Sequence, residues 1–242
     1  HDAMSALVPY GHAEYGQLRQ ATRVHDKEVL KLNNEVGLHP HVTGFKELYE
    51  QGAFAAIPGV GYPEPNYSHF TATDIWLTSD LNPSLALTGW LGRACDQAFK
   101  GNPDPKLAIA VGTGKTPRIL SGREHPGLSF SSADSFRYTG DRGDEKRKEM
   151  FRVLNQTGRG GLETNMDFIA QTAGNANASS DLIRKLSSEY KPKIEYPKTR
   201  LGNNMRTIAA MIMGGLSTRI YYTEQGGYDT HTNQAGAHER LL

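Results

Sequence analysis

The sequence predicts an α/β domain: a largely parallel central sheet flanked by helices. Three observations carry that expectation. Short apolar runs of strand length, "AFAAI" (53–57), "KLAIAVG" (106–112) and "TRIYYT" (218–223), are spread along the chain. Longer stretches with helical spacing of apolar residues stand between them. Strands that alternate with helices build layered domains on parallel sheets. At 242 residues the chain is long enough to bury a sizeable core.

Taken in order, "HVTGFKELYEQG" (41–52) sets Val42, Phe45, Leu48 and Tyr49 on one helical face and stops at Gly52. "AFAAI" then reads as a short buried strand. The Gly- and Pro-dense "GVGYPEPNYSHF" (59–70) is turn chemistry. "SHFTATDIWLTS" (68–79) reads as a helix starting near Ser68, with Phe70, Ile75 and Trp76 on one apolar side. Further helices are expected over 87–99, 148–190 and 200–215, the second interrupted by the polar "GNANASS" (174–180). "KLAIAVG" reads as a second buried strand, and the β-branched and aromatic "TRIYYT" as a third. The whole chain, 1–242, is expected to form a single domain with a polar, irregular insertion around 121–147. Its run "DRGDEKRKEM" (141–150) reads as a solvated helical face.

Composition narrows the function. Net charge is +1, with 27 basic and 26 acidic residues, so no basic excess points to nucleic acid. No apolar run reaches the roughly 18 to 20 residues of a membrane span. The single Cys95 excludes an internal disulfide.

Ligands of α/β sheets gather beyond the carboxyl ends of the strands. "GGYDTH" (226–231) lies just past "TRIYYT", and an Asp and a His two residues apart on an extended loop can face the same side. Carboxylate oxygen and imidazole nitrogen together suit zinc, manganese or iron. The alternative makes Asp229 the cap of a helix that begins near Asn233, with His231 packed against it. His238 reads as a surface or packing histidine. Ser68, after the Gly/Pro loop and at a helix entry, would have its hydroxyl near unpaired N–H groups and the positive helix end. That setting suits a nucleophile, and equally an ordinary cap. "AVGTGKT" (110–116) is similar to a nucleotide-binding phosphate loop, but the pattern needs glycine where Ile109 stands. Nucleotide binding is therefore not expected. His12, His25, His39, His41 and His125 are scattered and carry no expected catalytic role; "GLHPHV" (37–42) reads as a turn.

The stretches "DAMSALVPYG", "GLHPHVTGFKELYEQGAFAAIPGVGYPEPNYSHFTATDIW", "TGWLGR" and "GGYDTHTNQAGAHERLL", in that order and over nearly the whole chain, resemble domain-of-unknown-function family 1501. Those proteins are bacterial, usually exported by the twin-arginine route, and related to the alkaline phosphatase and sulfatase superfamily. The resemblance implies an alkaline-phosphatase-like layered domain with one or two divalent ions (zinc, manganese, calcium or iron) at the strand ends. It matches Asp2 to the superfamily's first metal-binding aspartate, Ser68 to the nucleophile, and Asp229 with His231 to a later metal pair. "NYSHF" is similar to the Asn-Ser stretch of cofactor-independent phosphoglycerate mutases, and His69 becomes a possible substrate-orienting residue. The strand and Gly-Gly step that precede the aspartate in the family are missing before His1. Segments similar to "SEFGR" and "GTDHG" do not follow residue 242. The chain is thus expected to be incomplete at both ends.

Two functions follow as expectations. One is an exported, periplasmic or cell-surface hydrolase of phosphate or sulfate esters that uses metal and a serine nucleophile on an anionic ester. The other is a non-catalytic exported protein that keeps the fold as a binding or assembly module with protein partners.

Overall fold

The computed structural model describes residues 3–101, 104–137, 140, 143–156 and 179–242. Along the chain the elements are α1 (Ala3–Ala6), β1 (Leu7–Val8), α2 (Ala13–Leu18), β2 (Leu30–Lys31), β3 (Gly37–Leu38), α3 (Thr43–Glu50), α4 (His69–Thr78) and α5 (Trp90–Ala98). They continue with a 3-10 turn (Pro105–Leu107), β4 (Ala108–Val111), a second 3-10 turn (Arg118–Leu120), β5 (Leu128–Phe130) and α6 (Glu145–Gln156). After α7, helical over 179–189, come α8 (Arg200–Met213), β6 (Ile220–Tyr222) and α9 (Gln234–Leu241). The fold is mixed α/β with two small sheets, one of them parallel. The chain divides into two compact units, one of residues His1–Pro65 with Gln225–Leu242, the other Asn66–Glu224.

In the larger unit the parallel sheet has the order β5-β4-β6, with Ile109 opposite both Leu128 and Tyr221. β4 is buried along its whole length. Successive side chains of a strand point to opposite faces, and the two cores follow that alternation. Ile109 and Val111 join Leu128, Phe130, Ile183, Ile208 and Met211, which brings α7 and α8 onto one face. Ala108 and Ala110 join Cys95, Leu107, Ile119 and Leu120, which brings α5 onto the other. A strand covered on both faces has no polar side, hence the uninterrupted apolar run. The expected strands at 106–112 and 218–223 and the helices at 68–79, 87–99 and 200–215 are all present, each shortened at its ends.

α5 lies close against the second 3-10 turn because it carries no side chain there. The Gly89 N–H donates to the Ser121 carbonyl at 2.9 Å. A Cβ at Gly89 would fall on the backbone of Arg118 and Ile119, and one at Gly92 on that of Ser121.

Two sequence expectations are corrected here. Phe70 and Trp76 do not share a buried side of α4 with Ile75; Phe70 is 86% exposed and Trp76 is exposed as well, while Ile75 is buried. The helix packs through Ile75 and Thr78, with Leu77 against the core around Ala108 and Leu120, so Phe70 and Trp76 fall on the side left to solvent. Part of the 121–147 stretch is also ordered strand, since Leu128 and Phe130 of β5 are buried. Asp144 accepts from the Lys146 N–H at 2.9 Å and opens α6, whose Met150, Val153 and Leu154 face solvent. Of the polar interruption expected at 174–180, residues 174–178 lie outside the described residues, while Ser179 and Ser180 are helical and buried at the start of α7.

The smaller unit holds an antiparallel sheet, β1-β3-β2, which the sequence did not announce. Gly37 is required at its centre, because a Cβ there would press on the Val29 side chain and the Leu30 carbonyl. Val8, Tyr15 and Val29 form the core, and the Tyr15 hydroxyl accepts from the Val24 N–H at 3.0 Å. α3 is present as expected, and Gly52, at φ 70°, follows it. Residues 53–57 form no strand. Phe54 instead stacks on Phe45 of α3, ring centres 5.1 Å apart, and Ile57 is exposed. Alanine has little strand preference and Pro58 can donate nothing to a ladder, so the apolar run stays irregular.

Candidate functional site

Ser68 stands at the cap position of α4 with extended backbone, φ −71° and ψ 121°. Its N–H donates to Asn66 Oδ1 at 2.8 Å, which sets the turn. Its hydroxyl accepts from the Thr71 N–H at 3.5 Å, the long limit of a hydrogen bond. The side chain is solvent-exposed and its oxygen sits at the positive end of the helix. The capping reading of the sequence holds here: Ser68 caps the helix, and it does so loosely. His69 is the first residue of α4.

The next turns of α4 border a cleft of about 710 Å³ in the same unit, beyond the carboxyl ends of β4 and β6. Asp74, Thr113, Lys115, Arg118, Arg200 and Glu224 line it. Asp74 and Arg118 form an ion pair at 3.4 Å. Arg200 donates to the Gly112 carbonyl, and the Tyr222 hydroxyl donates to Glu224 Oε2 at 3.2 Å. Burial first, and then the Glu224 carboxylate, push the Tyr222 phenol above its usual value. Thr113 is 6% exposed, and among the described residues its hydroxyl oxygen has no hydrogen-bond partner. Sequence reasoning passed these residues over after testing "GTGKT" for a nucleotide loop. The signal that was available is simpler: a polar Gly-rich loop directly follows a wholly apolar strand.

In the smaller unit Asp229 and His231 are brought together, Oδ1 to Nε2 at 3.4 Å, with the imidazole 86% exposed. The i, i+2 expectation for that loop holds. Asp229 does not cap the following helix; Asn233 takes that position, at φ 49°. His238 packs rather than lying on the surface. It is 2% exposed, edge-on to the Tyr228 ring and with Nε2 3.3 Å from the Tyr228 carbonyl oxygen. A second cleft, about 410 Å³, is lined by Arg23, Glu28, His39, His41, His238 and Glu239. His41 Nδ1 lies 2.7 Å from the Glu239 carbonyl, and His39 accepts the His41 N–H at 3.2 Å. Burial, and then the neighbouring His41 and His238 against the opposing pull of Glu239, hold the His39 imidazole below its usual value. The sequence reading took 37–42 as a turn and missed that grouping.

Asp2 lies outside the described residues. Ser68 belongs to the larger unit and Asp229 with His231 to the smaller one. Among the described residues, no group of three or more His, Cys, Asp or Glu side chains is arranged to hold a metal ion. No helix among them is long and apolar enough to cross a membrane. No family model, no curated protein and no solved structure matches the chain.

Proposed function

We propose that the protein is a metal-dependent hydrolase of phosphate or sulfate esters, exported from the bacterial cytoplasm to the periplasm or cell surface, with an alkaline-phosphatase-like domain. Ser68 is the nucleophile, Asp2, Asp229 and His231 are metal ligands, and His69 orients a substrate oxygen. The observation that carries this reading is the exposed Ser68 hydroxyl at the start of α4, held by one long bond from Thr71. The motif resemblance to family 1501 supports it.

Asp229 and His231 offer an oxygen and a nitrogen donor on one exposed loop, a pairing that fits zinc, manganese or iron. A divalent ion there supplies charge neutralisation for an anionic ester. The chain's own part is nucleophilic: the Ser68 oxygen attacks phosphorus or sulfur and gives its proton to solvent. The ester alkoxide leaves and takes a proton from water, and water then hydrolyses the seryl ester to free Ser68. The positive end of α4 favours the negative charge that builds up there.

The test is metal analysis of the intact protein together with turnover of aryl phosphates and aryl sulfates, with and without Ser68→Ala. Bound metal and turnover that vanishes in the variant support the reading. A protein that binds no metal, or that loses nothing on Ser68→Ala, ends it.

A second reading, a non-catalytic exported binding or assembly module, is favoured by aromatic side chains around Ser68. Tyr67, Phe70 and Trp76 are all exposed on or beside α4, the kind of surface that docks protein partners. Co-purification of the native protein with partners at substoichiometric metal separates this reading from the first.

A further inference from the structure

We infer that the cleft beyond the ends of β4 and β6 binds a small phosphate- or sulfate-bearing molecule, with Thr113, Lys115 and the loop after β4 as its anion subsite. The proposal goes beyond the hydrolase reading, because none of these residues is assigned to that chemistry and binding here needs no turnover.

Four observations converge. The cleft opens at the carboxyl edge of a parallel sheet, where α/β folds place ligands. Cations outnumber carboxylates in its lining, Lys115, Arg118 and Arg200 against Asp74 and Glu224. Those two carboxylates are engaged, Asp74 by Arg118 and Glu224 by the Tyr222 hydroxyl. Lys115 makes no ion pair among the described residues, so it is the cation left for a ligand.

The decisive feature is Thr113. A hydroxyl buried without a partner costs stability unless something else meets it. Thr113 lines the cleft beside the exposed Lys115, with its Oγ1 shielded from solvent beneath that lining. Among the described residues, no backbone acceptor meets the N–H groups of Thr113, Gly114, Lys115 or Thr116. Consecutive N–H groups without a backbone acceptor, next to an uncommitted ammonium, suit an oxyanion. Gly112, at φ 85°, turns the chain out of β4, and Gly114 leaves the approach clear of a side chain.

The cavity is larger than a bare tetrahedral anion, so an organic group can accompany it. The loop does not lead into a helix, as a nucleotide-binding phosphate loop does, but into the 3-10 turn Arg118–Leu120. A monoester is therefore favoured over a nucleoside triphosphate.

The experiment is calorimetric titration of the purified chain with inorganic phosphate and with sulfate, at ionic strength matched with chloride. Saturable binding of either anion is expected, weakened about tenfold by Lys115→Ala and by Thr113→Val, the scale of one lost charge-assisted or buried hydrogen bond. Lys193→Ala, which removes an exposed lysine elsewhere, leaves it unchanged. No binding beyond chloride, or equal weakening by Lys193→Ala, overturns the proposal. If Thr113→Val does not fold, Lys115→Ala decides alone. Since the readout is binding, a chain inert toward esters still reports on this site.

Discussion

The side-chain amide of Asn204 occupies the place where a Cβ at Gly112 would stand. Asn204 is buried on α8, and its Nδ2 donates to the Thr223 hydroxyl at 3.0 Å. One amide therefore packs against the end of β4 and bonds to the residue just past β6, and so fixes the rim of the cleft.

Gly112→Ala meets two penalties, a left-handed backbone that suits glycine and a collision with that amide. A loss of about 2 to 3 kcal/mol is expected, the usual scale of overpacking. Urea unfolding curves of the variant and the wild type check it.

In the larger unit Asp96 of α5 ties that helix to the loop at 123–125. Its carboxylate accepts the N–H groups of Arg123, Glu124 and His125 at 2.7 to 3.0 Å, and His125 Nδ1 lies 3.2 Å away. Burial alone would push its pKa up, but those N–H bonds, with Arg123 first, hold it below the usual carboxylate range. A lowered native value means stability that is present above about pH 4 and lost as pH falls through the native value. Asp96→Ala is expected to cost about 2 kcal/mol or more at neutral pH, with a flatter acid limb. Denaturant midpoints across pH 2 to 7 (a span of about five units) read both effects.

His39 predicts a second acid-side loss of stability, at higher pH, in the smaller unit. Its native value lies below the unfolded one, so the unfolded chain binds its proton first as pH drops from about 6.5. Stability thus declines on acidification through that window. His41, His238 and Arg23 add positive charge around it, and Glu239 and Glu28 oppose them. His39→Asn keeps an acceptor for the His41 N–H and is expected to flatten the slope between about pH 7 and 5. Unchanged slope in the variant counts against the assignment.

Two variants separate the capping role of Ser68 from a chemical one. Ser68→Ala is expected to cost about 1 kcal/mol, whereas Ser68→Gly costs only a few tenths, since glycine caps nearly as well. Both remove the hydroxyl. If turnover of aryl esters disappears in Ser68→Gly at near-wild-type melting temperature, the oxygen acts in chemistry and not only in capping.

What was legible in the sequence is what physical periodicity makes legible. β4 is unmistakable because a strand covered on both faces is apolar throughout, and Ser68 declares the start of α4 through its cap. The sheet β1-β3-β2 has strands of two residues, too short for an alternation to register. "AFAAI" failed because apolar residues report burial without saying against what; Phe54 found Phe45 instead of a ladder. Phe70 and Trp76 had helical spacing, yet α4 presents them to solvent. At the site, the Asp229 and His231 proximity was readable from i, i+2 geometry. The meeting of residues from the loop after β4, α4 and α8 at one cleft was not, because it depends on tertiary packing alone.

The glycine contact between α5 and the turn at 118–122 has a kinetic corollary. With Gly89 and Gly92 seated directly on that backbone, and the Gly89 N–H bonded to the Ser121 carbonyl, one wall of the cleft is pinned before any guest arrives. Little ordering entropy is left to be lost on association. For the anion proposed to bind there, capture is expected to be fast, and differences in affinity among guests are expected to emerge in how fast each one departs.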